Sequence, residues 1–366
     1  MLVRSLHARG DSVDILTTHL GRDIEYPPGV RILRIQPPFP PSRLVPGFSL
    51  RKVYCDLFLW FKLLRLGRQG SYDLIHAVEE SSFMAWSLSF VGGPDYVVDV
   101  DSCMTDQLVN HFPFLKPISG FLAWLESLPL RRAKGAVVVC EALADCPRRL
   151  CPGETMLLPD VSLREITDAP AEDIRQIVGQ EGPILMYVGN LEPYQGIDLL
   201  LESFSLLEKK VPSARLVLIG GSEAGQSKYK NIWHRLSGSE NVFFLGPRPL
   251  AALSGYLEQS NAVVSPRIQG TNTPMKIYSY LDSGRPLVAT SLPTHTQVVS
   301  ADEAALAEPT PEAFANAMAK VIADPEYSDR LASNARGLVA RKYSPASFRL
   351  RVREFYSRLE ACLATT

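Results

Sequence analysis

The sequence predicts an α/β protein with two doubly wound, Rossmann-like domains, and three observations support this prediction. Short apolar, β-branched segments alternate with helical patterns along the whole chain, which is typical of β-α-β units around a parallel sheet. The 366 residues are more than one ordinary hydrophobic core accommodates. The alternation stops between residues 157 and 173, so we interpret this stretch as a hinge between two domains.

Each half of the chain contains five strand-like segments, which we interpret as buried parallel strands. In the first half, strands are predicted at 13–18, 30–35, 73–78, 96–100 and 135–140, and helices at 51–68, 81–90, 117–132 and 141–150. In the second half, strands are predicted at 184–189, 215–220, 241–246, 262–266 and 286–290, and helices at 196–210, 225–237, 249–259 and 274–283. We therefore expect domains at 1–160 and 161–343, followed by a C-terminal helix within 344–366.

The start of the chain does not fit a complete domain of this kind. The segment "MLVRSLHARG" predicts an amphipathic helix that ends at Gly10 and leads into the strand at 13–18. In a sheet of order 3-2-1-4-5-6, the first strand lies in the centre and its glycine-rich turn precedes the first helix. We therefore expect that roughly 20 N-terminal residues of a complete domain, including its first strand, are missing from this sequence. The sequence could be a fragment, have a misassigned start or be a degenerate copy. A sheet with an unpaired slot at its centre is the poorer alternative, because it leaves backbone groups without partners.

The overall composition excludes several functional classes. The net charge is 38 − 39 = −1, which argues against general nucleic-acid binding. The six cysteines form no Cys-x-x-Cys pair and the six histidines are scattered, so we expect reduced thiols and no metal site. No apolar run reaches the roughly 18 residues of a membrane span and no signal-peptide pattern is present, so we expect a cytoplasmic protein.

Two segments combine a strand, a loop rich in small or polar residues, and a helix. In "YVGNLEPYQGIDLLLESF" (187–204), Gly189 ends a strand and Gly196 opens an amphipathic helix. A glycine at the start of a helix lets an anion approach the backbone N–H groups, although glycine is also common in ordinary strand-to-helix turns. The second segment, "RIQGTNTPMKIYSYLDSGRPLVAT" (267–290), adds the cations Arg267 and Lys276. Its polar loop residues are Thr271, Asn272 and Thr273. Because both loops follow strands, they predict a site for a diphosphate or a similar anion at the crevice of an open sheet.

With the "NVFFLG" strand and the two-domain order, these motifs resemble glycosyltransferases of family 4, group 1, which have the GT-B fold. The resemblance covers nearly the whole chain. It implies that the C-terminal domain binds a nucleotide sugar, that the N-terminal domain binds the acceptor, and that the last helix crosses back to the N-terminal domain. It also implies sugar transfer to a hydroxyl with retention at the anomeric carbon, without an obligatory metal or a cofactor other than the sugar nucleotide.

The chain departs from the family pattern at charged positions. Asn190 stands where the family usually has arginine and Gln195 where it has lysine, although both amides can donate hydrogen bonds. Two family glutamates, eight positions apart, correspond to Thr271 and Ser279, and Ser279 could bind a ribose through a weaker, neutral hydrogen bond. In the N-terminal domain, Asp101 and Ser102 replace a His-Asp pair.

These departures leave more than one functional interpretation open. We favour a variant subfamily in which Arg267 and Lys276 restore the positive charge and stabilise the leaving diphosphate. A non-catalytic or degenerate sugar-nucleotide-binding protein is the main alternative. A sugar-nucleotide epimerase of the same fold would need acid/base groups, for which Asp101, His76 and Glu79 are the candidates.

Two further features are interpreted in alternative ways. Arg248 could contact a base or a phosphate, or be solvated in its loop, and His76 could bind an acceptor or be structural. The stretch 42–68 carries six basic residues, one acid and interleaved aromatics that include Phe48. A basic amphipathic helix can lie on an anionic membrane, which suits a lipid-linked acceptor, or its apolar face can pack on the sheet. The expected partners are thus a nucleotide sugar and a sugar or lipid-linked acceptor.

Overall fold

A computed structural model of the chain describes residues 1–21, 24–44, 49–162 and 170–364, apart from the side chain of Asn110. The chain forms two compact units. The first, unit 1, comprises Met1–Pro159 and Phe348–Thr366, and the second, unit 2, comprises Asp160–Ser347. Every strand pair within the described residues is parallel, which confirms the predicted α/β class.

The helices and strands follow one another in this order. Those up to residue 157 are α1 (Leu2–Arg9), β1 (Val13–Thr17), β2 (Val30–Arg34), α2 (Leu50–Gly67), β3 (Leu74–Val78), α3 (Ser81–Ser89), β4 (Asp95–Val100), α4 (Met104–His111), α5 (Ser119–Ser127), β5 (Gly135–Val138), α6 (Asp145–Leu150) and β6 (Glu154–Leu157). Those that follow are α7 (Ile174–Val178), β7 (Ile184–Val188), α8 (Ile197–Leu207), β8 (Arg215–Ile219), α9 (Glu223–Leu236), β9 (Val242–Gly246), α10 (Leu253–Glu258), β10 (Ala262–Ser265), α11 (Lys276–Asp282), β11 (Leu287–Thr290), α12 (Pro293–Thr296), β12 (Ala304–Ala307), α13 (Pro311–Ala323), α14 (Pro325–Lys342) and α15 (Pro345–Leu363).

The ten strands predicted from the sequence are all present, with ends that differ by one or two residues. The predicted N-terminal helix is confirmed as α1, which ends at Gly10 in the left-handed conformation. The predicted helix at 117–132 is interrupted, because α5 lies between two 3-10 turns, Pro113–Ile118 and Pro129–Arg132. Prolines in these turns lack the N–H group that a continuous α-helix needs. In the predicted hinge, Leu157 closes β6, and residues 163–169 lie outside the described part of the chain.

Unit 1 contains two separate parallel sheets within its described residues. One pairs β1 with β2, and the other has the order β3-β4-β5-β6. Tyr72, just before β3, donates a hydrogen bond to Asp14 of β1 at 2.5 Å, which links the two sheets through side chains. The missing first strand expected from the sequence stays a prediction.

Unit 2 contains a six-stranded sheet of order β12-β11-β10-β7-β8-β9. The chain starts at the central strand β7, moves outward through β8 and β9, and then returns to β10 on the other side of β7. This is the doubly wound order, in which the direction of winding reverses between the first and fourth strands. Ligands of such sheets bind outside the carboxyl ends of the strands at that reversal.

Both faces of the unit 2 sheet are covered by helices. Along β7, Ile184 and Met186 belong to one buried cluster, whereas Leu185 and Tyr187 belong to another on the opposite face. All four side chains are completely buried, which explains why β7 is an uninterrupted apolar run. The carboxyl ends of β7 and β10 are therefore held by a packed core on each side.

The buried side chain of His295, in α12, connects two strands of this core through hydrogen bonds. Its Nε2 lies 2.8 Å from Ser265 Oγ at the end of β10, and its Nδ1 lies 3.0 Å from the carbonyl oxygen of Thr290 at the end of β11. Because a carbonyl can only accept, Nδ1 carries the proton and Nε2 accepts from the serine hydroxyl. Burial is the main cause that lowers the pKa of His295 to about 3, so the imidazole stays neutral at ordinary pH.

We expect the neutral His295 to make the stability of the chain depend on pH. The unfolded imidazole has a pKa of about 6.5, above the folded value, so the unfolded chain takes up a proton that the folded chain excludes. The contribution to stability is complete above about pH 6.5 and decreases as the pH falls toward about 3, by up to about 1.4 kcal/mol per pH unit. Urea unfolding measures the free energy of unfolding between about pH 7 and about pH 5, and its slope against pH should be smaller in His295→Gln by up to one proton. The exposed His234 of the same unit provides the control His234→Gln, and equal slopes for wild type and His295→Gln would contradict the assignment.

Candidate functional site

The two loops singled out in the sequence lie side by side at the reversal point of the unit 2 sheet. The β7 loop (189–196) connects β7 to α8, and the β10 loop (266–275) connects β10 to α11. Their backbones are joined by a 3.0 Å hydrogen bond from Ile268 N to the carbonyl oxygen of Tyr194. The fold thus brings together the two segments that the sequence analysis connected only by analogy of pattern.

Gly196 is required by this close approach. Its φ is +70°, in the left-handed region, and it is the residue before the first turn of α8. A Cβ at this position would overlap the carbonyl group of Pro266 in the β10 loop. Any other residue would therefore strain the backbone and push the two loops apart.

The two cations predicted for the site occupy the junction of these loops. Lys276 Nζ donates to Gln195 Oε1 at 2.9 Å and lies 3.9 Å from the ring centroid of Tyr187. The Arg267 guanidinium lies 5.3 Å from the ring of Tyr194 and donates to the carbonyl oxygen of Gln269 and to Asn272 Oδ1. These three acceptors are neutral, so they orient the two basic side chains without adding negative charge.

The environment disfavours the charged form of Lys276. Burial is the larger cause and the positive charge of Arg267 the smaller one, and together they hold the pKa of Lys276 well below its ordinary value. No carboxylate among the described residues pairs with Lys276. An anion that enters next to Lys276 would supply the missing counter-charge and raise its pKa again.

Gly189 and the two residues that replace family cations differ in their surroundings. A Cβ at Gly189 would lie 3.1 Å from Lys276 Nζ, so the backbone here passes directly beside the ammonium group. Gln195 is buried and uses its oxygen to accept from Lys276. Asn190 is exposed and donates to the hydroxyl of Tyr194 at 3.0 Å. Gln195 thus belongs to the cation junction, whereas Asn190 lies at its outer side.

The polar residues of the β10 loop and α11 are not equally accessible. Thr271 is exposed, and Thr273 is only 5% exposed with a hydroxyl that has no hydrogen-bond partner among the described residues. A buried hydroxyl without a partner is costly, and it is available to a ligand. Ser279 on α11 is completely buried, so a ribose could reach its hydroxyl only after neighbouring groups had moved.

Residues that the sequence analysis missed hold the β10 loop in place. Thr294 Oγ1 donates to the carbonyl oxygen of Asn272 at 2.8 Å, and Gln297 Nε2 donates to that of Thr271 at 3.0 Å. Thr290 Oγ1 donates to the carbonyl oxygen of Arg267 at 2.6 Å. These contacts come from α12, from the residue that follows it and from the end of β11. Isolated polar residues of this kind carry no local sequence pattern that could have indicated the contacts.

Arg248 is not part of this junction. It follows β9, the edge strand of the sheet, two strands away from β7. Its Nε forms a 3.0 Å ion pair with Glu172, and it also donates to the carbonyl oxygen of Leu245. The guanidinium is therefore engaged within unit 2 by a carboxylate, and a ligand would have to compete with Glu172 for it.

In unit 1, polar side chains collect at the carboxyl ends of β3 and β4. Asp101 and Ser102 directly follow β4, and Asp101 is half-buried. Ser102 Oγ donates to Glu79 Oε1 at 2.6 Å and accepts from Gln107 Nε2 at 2.7 Å. Glu79 follows β3 with φ +48°, a conformation that is uncommon for a residue with a side chain. Such groups can bind hydroxyls, and no local sequence pattern indicates the strained backbone of Glu79.

His76 has a structural environment. It lies within β3, where its Nε2 contacts Asp99 Oδ2 at 2.7 Å and its Nδ1 contacts the Tyr356 hydroxyl of α15. Both ring nitrogens are therefore engaged, and the contact joins α15 to the sheet of unit 1. Of the two interpretations of His76, this favours the structural one.

Comparisons with known proteins assign both units to related families. Residues 171–338 match the family model described as glycosyl transferases group 1. Residues 1–151 match a second model, described as a glycosyl transferase 4-like domain. The two matches together span most of the chain.

Two curated proteins are similar in sequence. Mannosylfructose-phosphate synthase of Agrobacterium fabrum is 37% identical over 92 residues, which are 25% of this chain and 20% of that protein. Alpha-D-kanosaminyltransferase of Streptomyces kanamyceticus is 24% identical over 278 residues, which are 72% of this chain and 70% of that protein. The chain thus matches a fifth of the length of the first relative and over two thirds of the second.

Solved structures of low sequence identity share the fold. Sucrose-phosphate synthase from Thermosynechococcus elongatus has a TM-score of 0.81 at 22% identity, covering 99% of this chain and 92% of that one. Anabaena HepE in complex with UDP has a TM-score of 0.69 at 18% identity, covering 90% and 86% of the two chains. The parallel sheets, the two family models and these neighbours lead to one conclusion: the chain belongs to the group 1 glycosyltransferases and has the GT-B fold.

Proposed function

We propose that this protein transfers a sugar from a nucleoside-diphosphate sugar to an acceptor hydroxyl, with retention at the anomeric carbon and without an obligatory metal. Cell-surface polysaccharide or glycolipid synthesis is the setting that we propose for this reaction. The observation that carries the proposal is the cation junction of Arg267 and Lys276 at the reversal point of the unit 2 sheet. A group 1 glycosyltransferase has to bind and stabilise a leaving group there, and a diphosphate is the anion that two adjacent cations suit.

The donor site is proposed to combine these side chains with backbone groups. The β7 loop runs into the N-terminus of α8, which has no side-chain cap and whose helix dipole favours negative charge. Lys276 and Arg267 supply formal charge, and the buried hydroxyl of Thr273 supplies a hydrogen-bond donor. Lys276 and Arg267 are oriented by hydrogen bonds within the chain, and groups positioned in advance stabilise developing charge best.

The ligand of a structural neighbour supports the choice of donor. HepE is described in complex with UDP, and its fold is the one found here. We therefore propose a nucleoside diphosphate as the recognised half of the donor in this chain as well. In this proposal, Lys276 and Arg267 compensate for the arginine and lysine that Asn190 and Gln195 replace.

The acceptor is proposed to bind at the carboxyl ends of β3 and β4 in unit 1. Asp101 is the carboxylate that we propose to accept a hydrogen bond from the reacting hydroxyl and to orient it. Glu79 and Ser102 offer further hydrogen-bond partners for a sugar, and Ser102 Oγ already donates to Glu79 Oε1 at 2.6 Å. The acceptor class that these groups suit is a hydroxyl-rich sugar, either free or linked to a lipid.

Replacement of Lys276 tests the donor site. Lys276→Ala should weaken binding of nucleoside diphosphates, or lower donor turnover, at least tenfold, because it removes one of two cations from a poorly hydrated site. Calorimetric titration of the full chain with a panel of nucleoside diphosphates, UDP included, measures the change. The exposed Lys209 provides the matched control Lys209→Ala. Equal affinities and turnover for wild type and Lys276→Ala would refute the proposed site, whereas binding without turnover of any donor would favour the non-catalytic alternative.

The lowered pKa of Lys276 predicts that diphosphate binding takes up protons. In the free protein this pKa is well below its ordinary value, and the bound anion should raise it. Between the two values, affinity should therefore fall as the pH rises, by up to about tenfold per pH unit. Calorimetric titrations with UDP in buffers of different ionisation enthalpy measure the number of protons taken up on binding. Lys276→Met should take up fewer protons than the wild type. The same count in both proteins would show that the ammonium does not titrate on binding.

Metal independence is tested by chelation. Because the positive charge at the junction comes from side chains, UDP should bind with the same affinity in EDTA as in excess Mg²⁺ or Mn²⁺. Titrations under both conditions, with purified wild-type protein, give the comparison. Binding that disappears in EDTA and returns with either cation would contradict the proposed metal independence while leaving the nucleotide site in place.

A further inference from the structure

The outward face of α2 carries an apolar stripe. Leu50, Val53, Leu57 and Phe61 are each between 46% and 80% exposed. Their spacings of three or four residues place them on one side of the helix, and we call them the α2 stripe. The opposite side faces the protein, where Cys55 is completely buried. A helix that turns four large apolar side chains toward solvent has a binding surface rather than a core face there.

Positive charge accompanies the α2 stripe. Residues 49–68 contain five basic residues and one acid, a net charge of 5 − 1 = +4. Lys52 pairs with Glu80 at 2.6 Å, and Lys62 donates to the carbonyl oxygen of Arg34. Arg51, Arg65 and Arg68 are exposed, and no carboxylate in the described part of the chain pairs with them. Arg65 and Arg68 extend the line of the stripe beyond Phe61, since they lie four and seven residues further along, about one and two helical turns.

A second exposed apolar surface lies on the same unit. Phe114, Ile118, Phe121 and Trp124 are each between 47% and 76% exposed, and we call them the aromatic segment. The rings of Phe121 and Trp124 stack with centroids 5.7 Å apart. Lys116 is the one Asp, Glu, Lys or Arg between residues 107 and 125. Large aromatic side chains are the type that concentrates at the interface between a bilayer and water.

The two surfaces start from the same edge of the unit 1 sheet. Lys52, in the first turn of α2, pairs with Glu80 just after β3. The neighbouring Glu79 bonds Ser102 just after β4, and Ser102 bonds Gln107 in α4. This chain of contacts connects the beginning of α2 to α4, which leads into the aromatic segment. Both surfaces therefore lie near the polar groups at the carboxyl ends of β3 and β4.

We propose that unit 1 binds the surface of an anionic lipid bilayer through the α2 stripe and the aromatic segment. The apolar side chains would enter the headgroup region, and the exposed arginines would bind anionic headgroups. A second copy of the chain fits this surface less well, because a two-fold contact between α2 helices would bring the same unpaired arginines together. No helix in the described residues is long and apolar enough to cross a bilayer, and the proposed contact needs none.

The membrane contact has a consequence for the acceptor, and this consequence alone rests on the proposed function. A unit that lies on a bilayer holds Glu79 and Ser102 close to the headgroup layer. For the proposed transferase, this favours a lipid-linked acceptor over a free sugar. The bilayer contact itself depends only on the surface of unit 1.

Vesicle flotation of the full chain tests the proposal. Vesicles of phosphatidylcholine with phosphatidylglycerol should bind the protein, pure phosphatidylcholine should bind it much less, and high salt should release it. Arg65→Glu with Arg68→Glu should reduce binding at least tenfold. Leu57→Ser with Phe61→Ser, and Phe114→Ser with Trp124→Ser, should each reduce it several-fold. The control Leu250→Ser changes an apolar residue of unit 2 that is 59% exposed and should leave binding unchanged.

Two other outcomes would contradict the proposed membrane contact. Absence of binding to anionic vesicles, or binding that all three paired variants retain, shows that these surfaces do not dock on lipid. A concentration-dependent dimer in sedimentation that Leu57→Ser with Phe61→Ser disperses would identify a second copy as the occupant. UDP titration of the wild type and of every variant separates this test from the proposed function. A wild-type protein that binds UDP but no anionic vesicles would contradict the membrane contact and leave the proposed function in place.

Discussion

The candidate site of unit 2 depends on two basic side chains, Lys276 and Arg267, held next to each other where the β7 loop meets the β10 loop. Burial, and to a smaller extent the charge of Arg267, disfavour the charged form of Lys276. Such a pair persists only when the surrounding structure leaves neither side chain free to move away. Gln195 holds the ammonium group from the β7 loop, and Gln269 with Asn272 holds the guanidinium from the β10 loop. The unfavourable electrostatics of the empty site are the physical reason that it should bind an anion.

A layer of neutral hydrogen bonds keeps this pair in position. His295, Thr290 and Thr294 tie the β10 loop to β11 and α12 without adding charge. Burial is the main cause of the low pKa of His295, and the positive charges of Lys276 and Arg267 lower it further. The hydroxyl of Ser265, which donates to Nε2, is a partner that suits the neutral imidazole.

Sequence patterns predicted the fold well where local physics decides it. The order of apolar strands and amphipathic helices predicted β7 to β11 and their loops, because buried parallel strands read as continuous apolar runs. The same rule failed for β12, whose sequence Ala-Ala-Leu-Ala has no β-branched residue, and the helices α13 and α14 were not predicted. The features of the site that depend on tertiary contacts could not be predicted from the sequence. The low pKa of Lys276, the tethers from α12 and the exposure of the α2 stripe follow from packing, which no local pattern records.

Gln195 shows why the departures from the family pattern have to be interpreted together rather than one by one. Its oxygen accepts a hydrogen bond from Lys276 at 2.9 Å, so a lysine at position 195 would place a second ammonium group against the first. Arg267 already lowers the pKa of Lys276, and a third cation at this distance would lower it further or force one side chain out of the junction. A neutral acceptor at 195 is therefore compatible with a cation at 276, and a lysine at 195 is not. The loss of one family lysine and the presence of Lys276 form a single electrostatic arrangement, in which the basic side chain comes from the β10 side of the site.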